Sequence, residues 1–195
     1  MDNGTDGTGL NFCHMDAAAR IAQLRDRAKQ QQLVVLVWGP GDPGPKGQKE
    51  MIRYWQKRGD IRDFLRKEFK QSEVEFSESD ALRDYTRDLD ALLTEELVHA
   101  AVADCILVLD VSRGAHVEVD RFSTYPTVAK KLRVLLPEKY VGGSGLVGQV
   151  LKGLTVIGFT EDEFKKCSLA SDKAVKIVES VAIEKLMVSS GLPQF

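Results

Sequence analysis

The chain is poor in cysteine and histidine and has no long apolar run. Its three cysteines, Cys13, Cys105 and Cys167, form no Cys-x-x-Cys pair and are odd in number, so neither a zinc site nor a disulfide framework is predicted. No apolar run approaches the roughly 18 residues of a membrane-spanning helix. The amino terminus also lacks the apolar segment of a signal peptide. We therefore expect a cytoplasmic protein with no bound metal and no membrane span.

The chain also lacks a strong charge of either sign. With 27 basic and 29 acidic side chains, its formal net charge is -2. No broad positive field is therefore available for nucleic acid, and no basic amphipathic stripe for a membrane surface. The 195 residues suffice for one domain. We predict a disordered or flexible lead over 1–15 and a single α/β domain over 16–195, with its core over about 33–188.

Apolar runs that resemble strands alternate with helical patterns along the chain. The predicted strands are short and bounded by turn or charged residues: LVVLVWG (33–39), SEVEFSES (72–79), DCILVLDV (104–111), LRVLLP (132–137) and LTVIGF (154–159). Their alternation with helices is typical of βαβ units, in which a parallel sheet is covered on both faces. Right-handed crossovers favour a three-layer, flavodoxin-like open sheet of about five parallel strands in the order 2-1-3-4-5.

Amphipathic patterns predict the helices. Asp16 is expected to cap the first of them, and Pro126 to interrupt the fourth. Residues 51–69 fit one helix or two, whereas residues 80–103 read as a single long helix. In chain order the predicted helical segments are 16–32, 51–69, 80–103, 116–131 and 172–188.

A glutamate stands just beyond the third predicted strand, in the segment SRGAHVE (112–118). In a sheet of order 2-1-3-4-5 the binding crevice lies beyond the carboxyl ends of strands one and three, so this segment and the loop over 38–47 face it. Glu118 is therefore either a catalytic carboxylate or a charge that complements the dipole of the following helix. Ser112 is expected to cap that helix, and Gly114 to permit a tight turn or a positive φ.

Further candidate residues lie in the segments around this crevice. Trp38 either stacks on a base or belongs to the core. His116 is either a proton donor at the crevice rim or a surface residue. The predicted substrate-binding set shares these loops and consists of Trp38, Gly39, Ser77, Asp110, Ser112, Gly114 and His116.

The segment GSGLVG (143–148) matches the glycine pattern of dinucleotide-binding loops. That fingerprint belongs at the first strand–helix turn of a βαβ unit, whereas this segment follows the fourth predicted strand. We predict a mobile loop over 142–148. A phosphate-binding loop is the alternative, which a bound anion at these amides would support.

The segment ELVHAAVADCILVLDVSRGAHVEVDRF (96–122) resembles nucleoside 2-deoxyribosyltransferases and the related Toll/interleukin-1 receptor-like (TIR) domains of bacteria. In that group a helix ends in Ala-Asp, as at 103–104 here, an apolar strand follows, and a loop with a small residue and a glycine precedes a glutamate. The segment 61–79, with Arg62 and Glu78, is similar to the group's earlier helix–strand–loop unit. The resemblance covers about 33–160.

The resemblance implies an enzyme that cleaves an N-glycosidic bond, with Glu118 attacking or stabilising the anomeric carbon. The transition state of such a cleavage is oxocarbenium-like, so a carboxylate beside it stabilises positive charge or forms a covalent sugar ester. The implied substrate is a nucleoside, a nucleotide or NAD, which is consumed rather than held as a cofactor. Many bacterial domains of this group act in antiphage defence, and some assemble into homo-oligomers.

A second interpretation is a non-catalytic module that senses a nucleotide or assembles like a signalling TIR domain. It follows from Asp120, which stands where the transferases usually carry a glycine. The geometry of Glu118 separates the two interpretations. A pocket in which Ser112 or a second carboxylate lies within hydrogen-bond reach of Glu118 favours catalysis, whereas a surface ion pair with Arg113 or Arg121 favours the binding module.

Overall fold

A five-stranded parallel sheet forms the centre of the computed structural model, which describes residues 16–86, 92–142 and 151–190. In chain order its strands are β1 (Val34–Trp38), β2 (Glu73–Glu75), β3 (Cys105–Leu109), β4 (Leu132–Pro137) and β5 (Thr155–Phe159). They lie in the order β2-β1-β3-β4-β5, and every neighbouring pair is parallel. The predicted α/β class and strand order are thus confirmed. The lead predicted over 1–15 lies outside the described residues.

Helices cover both faces of this sheet. They are α1 (Ala17–Lys29), α2 (Lys49–Glu68), α3 (Asp80–Thr86), α4 (Leu92–Val102), α5 (Arg113–Ser123), α6 (Pro126–Ala129), α7 (Glu161–Lys165) and α8 (Val175–Ser189). A turn of 3-10 helix, Glu138–Tyr140, follows β4, and a π-helical turn, Leu169–Ala174, leads into α8. No helix in the described ranges is long and apolar enough to cross a bilayer.

The core consists of two apolar layers, one on each face of the sheet. Alternate side chains of β3 divide between them, because successive residues of a strand point to opposite faces. Leu107 joins the layer under α2 and α8, and Val108 joins the layer under α4 and α5. Every residue of β3 is buried, which explains why this central strand reads as a continuous apolar run rather than an alternating one.

Asp104 ties three elements together just before β3. Its carboxylate accepts a hydrogen bond from the backbone N–H of Val34 at 2.9 Å and binds the ammonium group of Lys185, on α8, at 2.9 Å. The Ala-Asp pair of the quoted motif therefore has a structural role here, at the amino-terminal edge of the sheet and opposite the predicted crevice.

The single helix predicted over 80–103 is wrong. Nε2 of His99 on α4 donates a hydrogen bond of 3.1 Å to the carbonyl of Leu82 on α3, whereas a straight helix would hold residues this far apart in sequence about 25 Å from each other. The same His99 nitrogen lies 3.2 Å from Oγ1 of Thr86. α3 and α4 are therefore two helices that contact each other, and residues 87–91 between them lie outside the described residues.

The helix boundaries around the crevice follow local capping chemistry. Asp16 accepts a hydrogen bond from the backbone N–H of Ala19 at 2.7 Å, as expected of an N-cap. Ser112 does the same for Ala115 at 3.2 Å, so α5 begins at Arg113 rather than at 116 as predicted. Pro126 occupies the first turn of α6 and separates it from α5, as predicted.

Candidate functional site

A cleft of about 570 Å³ opens beyond the carboxyl ends of β1 and β3. One wall is the loop 39–41 after β1, together with Met51 on α2. The other wall is formed by residues 111–115 and by Glu118 on α5. The cleft thus lies at the point where strand order reverses, which is where open α/β sheets bind their ligands.

Gly39 allows the β1 loop to pass directly over the end of β3. Its φ is +149°, and a Cβ atom added to it would lie 3.2 Å from both Cβ and the carbonyl oxygen of Leu109. A side chain at this position would therefore be strained and crowded. The positive φ expected at Gly114 is thus found at Gly39 instead, since Gly114 lies in the first turn of α5 and is not among the described glycines of positive φ.

Glu118 lines the cleft with a carboxyl group that has no ion pair or side-chain hydrogen bond within the described part of the chain. Burial raises the pKa of this carboxyl from 4.5 to about 7, and the neighbouring charge of Glu96 acts in the same direction. Glu118 is the sixth residue of α5, counted from Arg113. A helix dipole acts mainly within the first turn, so complementing that dipole does not account for Glu118.

Arg58 is the buried cation of this site, and sequence reasoning missed it. Its side chain, on α2, is only 2 % exposed. Nε donates to the carbonyl of Val37 at 2.9 Å and a terminal nitrogen to that of Pro40 at 3.3 Å. Its two terminal nitrogens bind the two carboxylate oxygens of Glu78 at 2.5 and 2.7 Å. Arg58 thus joins α2, the β1 loop and the segment after β2.

One signal in the sequence could have identified Arg58. Residues 58, 61 and 65 lie on one face of α2, where Ile61 and Leu65 are fully buried. An arginine on such an apolar stripe needs partners inside the protein. The Arg58 guanidinium also lies over the ring of Phe76, 4.2 Å from its centroid. The guanidinium of Arg62 lies 4.4 Å from the same centroid.

A second group of polar side chains lies beside the Arg58–Glu78 pair. It surrounds a small pocket of about 30 Å³ lined by Ser77, Glu78, Arg83, Glu95, Glu96 and His99. Burial raises the pKa of Glu96, which Arg121 lowers and the neighbouring glutamates raise further. Burial also acts to raise the pKa of Glu78, but the hydrogen bonds from Arg58 hold it below its ordinary value. Ser77 donates to Glu78 at 3.2 Å and therefore lies in this group rather than in the cleft.

Trp38 lies in the core beneath the site. It is 2 % exposed, and its ring centroid is 4.7 Å from that of Phe122, one turn beyond Glu118 on α5. This burial decides between the two interpretations of Trp38, because stacking on a base requires an accessible ring face. Its indole N–H is buried and has no hydrogen-bond partner among residues 16–86, 92–142 and 151–190.

Asp110 and His116 form a pair of their own. Nδ1 of His116 lies 3.0 Å from a carboxylate oxygen of Asp110, which is 5 % exposed. Burial raises the pKa of Asp110, and the bond from His116 opposes this. Neither side chain lines the cleft, although the charge of Asp110 contributes to the raised pKa of Glu118. Of the predicted set, the structure thus brings Gly39, Ser112, Gly114 and Glu118 together at the cleft.

The remaining predictions concern metals and the glycine-rich segment. In the described ranges, no group of three or more His, Cys, Asp or Glu side chains is placed to hold a metal ion. The segment 143–148 and its two alternative interpretations lie outside the described residues. Thr160 and Glu163 form a capping box at the start of α7, so the acidic residues there belong to a helix start.

No protein-family model matches this chain, and no curated protein sequence matches it at a significant level. The function is therefore argued from the geometry of the cleft and from the chemistry of its side chains.

Proposed function

We propose that this chain is a nucleotide-processing domain that cleaves the N-glycosidic bond of a nucleoside, a nucleotide or an NAD-like substrate. Glu118 is its catalytic residue. One observation carries the proposal: Glu118 lines the cleft at the switch point of the sheet, and its carboxyl has a pKa of about 7. A carboxyl that titrates near neutral pH in a cleft is a candidate for acid–base chemistry.

The dimensions and lining of the cleft suit such a substrate. Its volume of about 570 Å³ lies within the range of roughly 300–1,000 Å³ that small-molecule sites occupy. Gly39 and Gly41 contribute no side chains to their wall, so a ligand can approach the backbone closely at these two residues. As the C1′–N bond breaks, positive charge develops on the sugar, and Glu118 is the acidic residue among the described residues that line the cleft.

The geometry of Glu118 favours catalysis over the non-catalytic module. Glu118 forms no ion pair with Arg113 or Arg121, both of which are described and exposed. It lines the same cleft as Ser112, and the charge of Glu96 raises its pKa, but in the described part of the chain no hydrogen bond joins Glu118 to either residue. A carboxyl of raised pKa that lines a cleft and has no such ion pair supports the catalytic interpretation.

Base release is the test of this proposal. Purified protein is incubated with NAD and with a panel of nucleosides and deoxynucleotides, and the products are separated by chromatography. We expect free base from at least one substrate, and a loss of at least a hundredfold in Glu118→Gln, in line with the usual effect of a positioned acid or base. Asp120→Asn is the matched control, because Asp120 is an exposed acid two residues further along α5, and it should retain the wild-type rate.

If the wild-type protein releases no base from any substrate, the proposal fails. Calorimetric titration with the same ligands then tests the other interpretation, since a nucleotide-sensing module would bind one of them without cleaving it.

A further inference from the structure

The charges around Glu118 are unevenly matched. Four charged groups in the described part of the chain shift the pKa of Glu118: Arg58 on α2, Glu78 after β2, Glu96 on α4 and Asp110 after β3. Three of the four are carboxyl groups, and Arg58 is the single cation. Burial is the largest cause of the raised pKa of Glu118, and the guanidinium of Arg58 is the group among these four that acts against it. The role of the Glu118 proton in catalysis rests on the proposed function, whereas the protonation of Glu118 does not.

The guanidinium of Arg58 is already occupied. Its Nε and one terminal nitrogen donate to the carbonyls of Val37 and Pro40, and both terminal nitrogens donate to Glu78. A guanidinium has five N–H groups, and these four bonds fix its plane. The bidentate pairing with Glu78 is the strongest arrangement that an arginine and a carboxylate form. One N–H of the guanidinium is not used by these four bonds, but the guanidinium has no freedom to rotate towards Glu118 while Glu78 remains in place.

Apart from Arg58, the described groups that shift the pKa of Glu118 are all carboxyl groups. Glu96 faces Glu118 from α4, and it is itself faced by Glu78, by Glu95 on its own helix and by Arg121 on α5. No ion pair of Glu96 or Glu118 occurs in the described part of the chain. Arg83, on α3, lines the small pocket with Glu96 but is not among the groups that act on Glu118. The small pocket thus supplies Glu118 with no compensating cation.

We propose that Glu78 is a positioning residue, which binds both terminal nitrogens of Arg58 and so leaves Glu118 unpaired and protonated when a substrate enters the cleft. Glu118 then acts first as an acid. Its burial next to Glu96 opposes ionisation, and Glu78 removes the group that would otherwise favour it.

The chemical step balances with water as the co-reactant. In a nucleoside or nucleotide with an uncharged base, the C1′–N bond breaks, its electron pair goes to the base nitrogen, and the proton of Glu118 is transferred to the base. The resulting Glu118 carboxylate faces the cationic sugar, and water adds to C1′. Glu118 accepts the proton that this water loses, which restores the acid and leaves a free base and a free sugar hydroxyl.

The titration of Glu118 is measured directly and without substrate. The protein is labelled with ¹³C at the glutamate side-chain carboxyls, and the Glu118 resonance is assigned by its absence in Glu118→Gln. In the wild type we expect a midpoint near 7. A wild-type midpoint near 4.5 would overturn the inference whatever the variants do.

Substitution of Glu78 tests the cause. In Glu78→Gln the freed guanidinium can pair with Glu118, so we expect the midpoint to move from about 7 towards 4.5. Glu78→Asp keeps the charge and should stay near the wild-type value. In the double variant Arg58→Gln with Glu78→Gln, no cation is freed, so the midpoint should not fall. An unchanged midpoint in folded Glu78→Gln would contradict the proposal, as would an equal fall in the double variant.

A matched pair on α4 separates this effect from general loosening of the fold. Glu96→Gln removes a charge that faces Glu118 and leaves the Arg58–Glu78 pair intact, so the midpoint should fall. Glu95→Gln removes the adjacent charge, which is not among the groups that act on Glu118, and should leave the midpoint unchanged. An equal response of the two variants would contradict the proposed charge arrangement.

The pH dependence of base release then connects the proton to catalysis. Because the acid form is the reactive one, the wild-type rate should fall as pH rises through about 7, and this fall should occur at lower pH in Glu78→Gln. If no substrate is cleaved but the midpoints behave as described, the proposed function fails and the role of Glu78 stands. If base is released at a rate that does not follow the Glu118 midpoint, the role of Glu78 in catalysis fails.

Discussion

At the scale of single residues, Glu118 combines reactivity with a cost to stability. Its carboxyl binds a proton more tightly in the folded chain than in the unfolded one, because its pKa rises from 4.5 to about 7 on folding. A group with a raised pKa stabilises the fold below its unfolded pKa, and that contribution is lost as pH rises through the folded pKa. Above neutral pH the folded protein therefore holds a half-buried carboxylate that has no ion pair within the described part of the chain.

Glu118→Gln should consequently stabilise the protein at alkaline pH. Glutamine is close in shape and carries no charge, so the variant avoids the cost of ionising residue 118. The full shift corresponds to about 3 kcal/mol, and because the side chain is partly exposed we expect a gain of about 1–2 kcal/mol in the free energy of unfolding near pH 8. Urea denaturation at several pH values measures this. Most of the gain should disappear near pH 5, and a difference independent of pH would contradict the expectation.

At the scale of elements, the site depends on α2 and α4, each of which is held in position by a polar contact with another segment. Arg58 links α2 to the loop after β1 and to the segment after β2. His99 links α4 to α3 through the carbonyl of Leu82, and it is 3 % exposed. Both links are buried polar contacts between segments far apart in sequence, and they position Glu78 and Glu96 relative to α5.

His99→Leu should loosen α3 selectively. The substitution removes the hydrogen bond to Leu82, and a hydrogen bond of this kind contributes about 0.5–1.5 kcal/mol. Amide hydrogen exchange in α3 should therefore accelerate by roughly twofold to tenfold, while exchange in β3 stays unchanged. Val98→Ala is the matched control, because Val98 precedes His99 on α4 and is 41 % exposed. Equal acceleration in both variants would show that His99 does not hold α3.

At the scale of the whole molecule, the two ends of the sheet have different tasks. The carboxyl ends of β1 and β3 form the cleft. The opposite end is held by Asp104, which binds Val34 at the start of β1 and Lys185 on α8. Substitutions at this opposite end should therefore change the stability of the fold without changing the chemistry of the cleft.

Asp104→Ala should destabilise the protein and leave the Glu118 titration unchanged. Removing the carboxylate leaves the partly buried N–H of Val34 without its acceptor, which costs about 1–3 kcal/mol. Lys185→Met keeps the bond to Val34 and removes a partly exposed ion pair and the exposed hydrogen bond from Nζ to the carbonyl of Gln32, so it should cost about 0–1 kcal/mol. Thermal or urea denaturation ranks the two variants. If Lys185→Met proves the more costly, the contribution of Asp104 is electrostatic and not the hydrogen bond to β1.

The residues of the site differ in how far the sequence predicts them. Glu118, Ser112 and Gly39 follow directly from strand ends and turn residues, because local sequence decides where a strand stops and a helix is capped. The sequence did not predict Arg58 and Glu96 as site residues, because the local sequence around a charged helix residue does not indicate which distant carboxyl group it lies near. The sequence left two interpretations of Trp38, stacking on a substrate base and packing in the core. The contact of its ring with Phe122 distinguishes them.

The sequence by itself determined the class of fold, the strand order and the edge of the sheet that holds the cleft. Apolar periodicity and right-handed crossovers are properties of short segments, and they leave little choice at this level. The tertiary structure alone decided that α3 and α4 are separate helices, that Arg58 pairs with Glu78 and that Glu118 has no ion pair with any described residue. Each of these depends on the position of a polar group relative to partners distant in the chain, and charge and burial act through space rather than along the sequence.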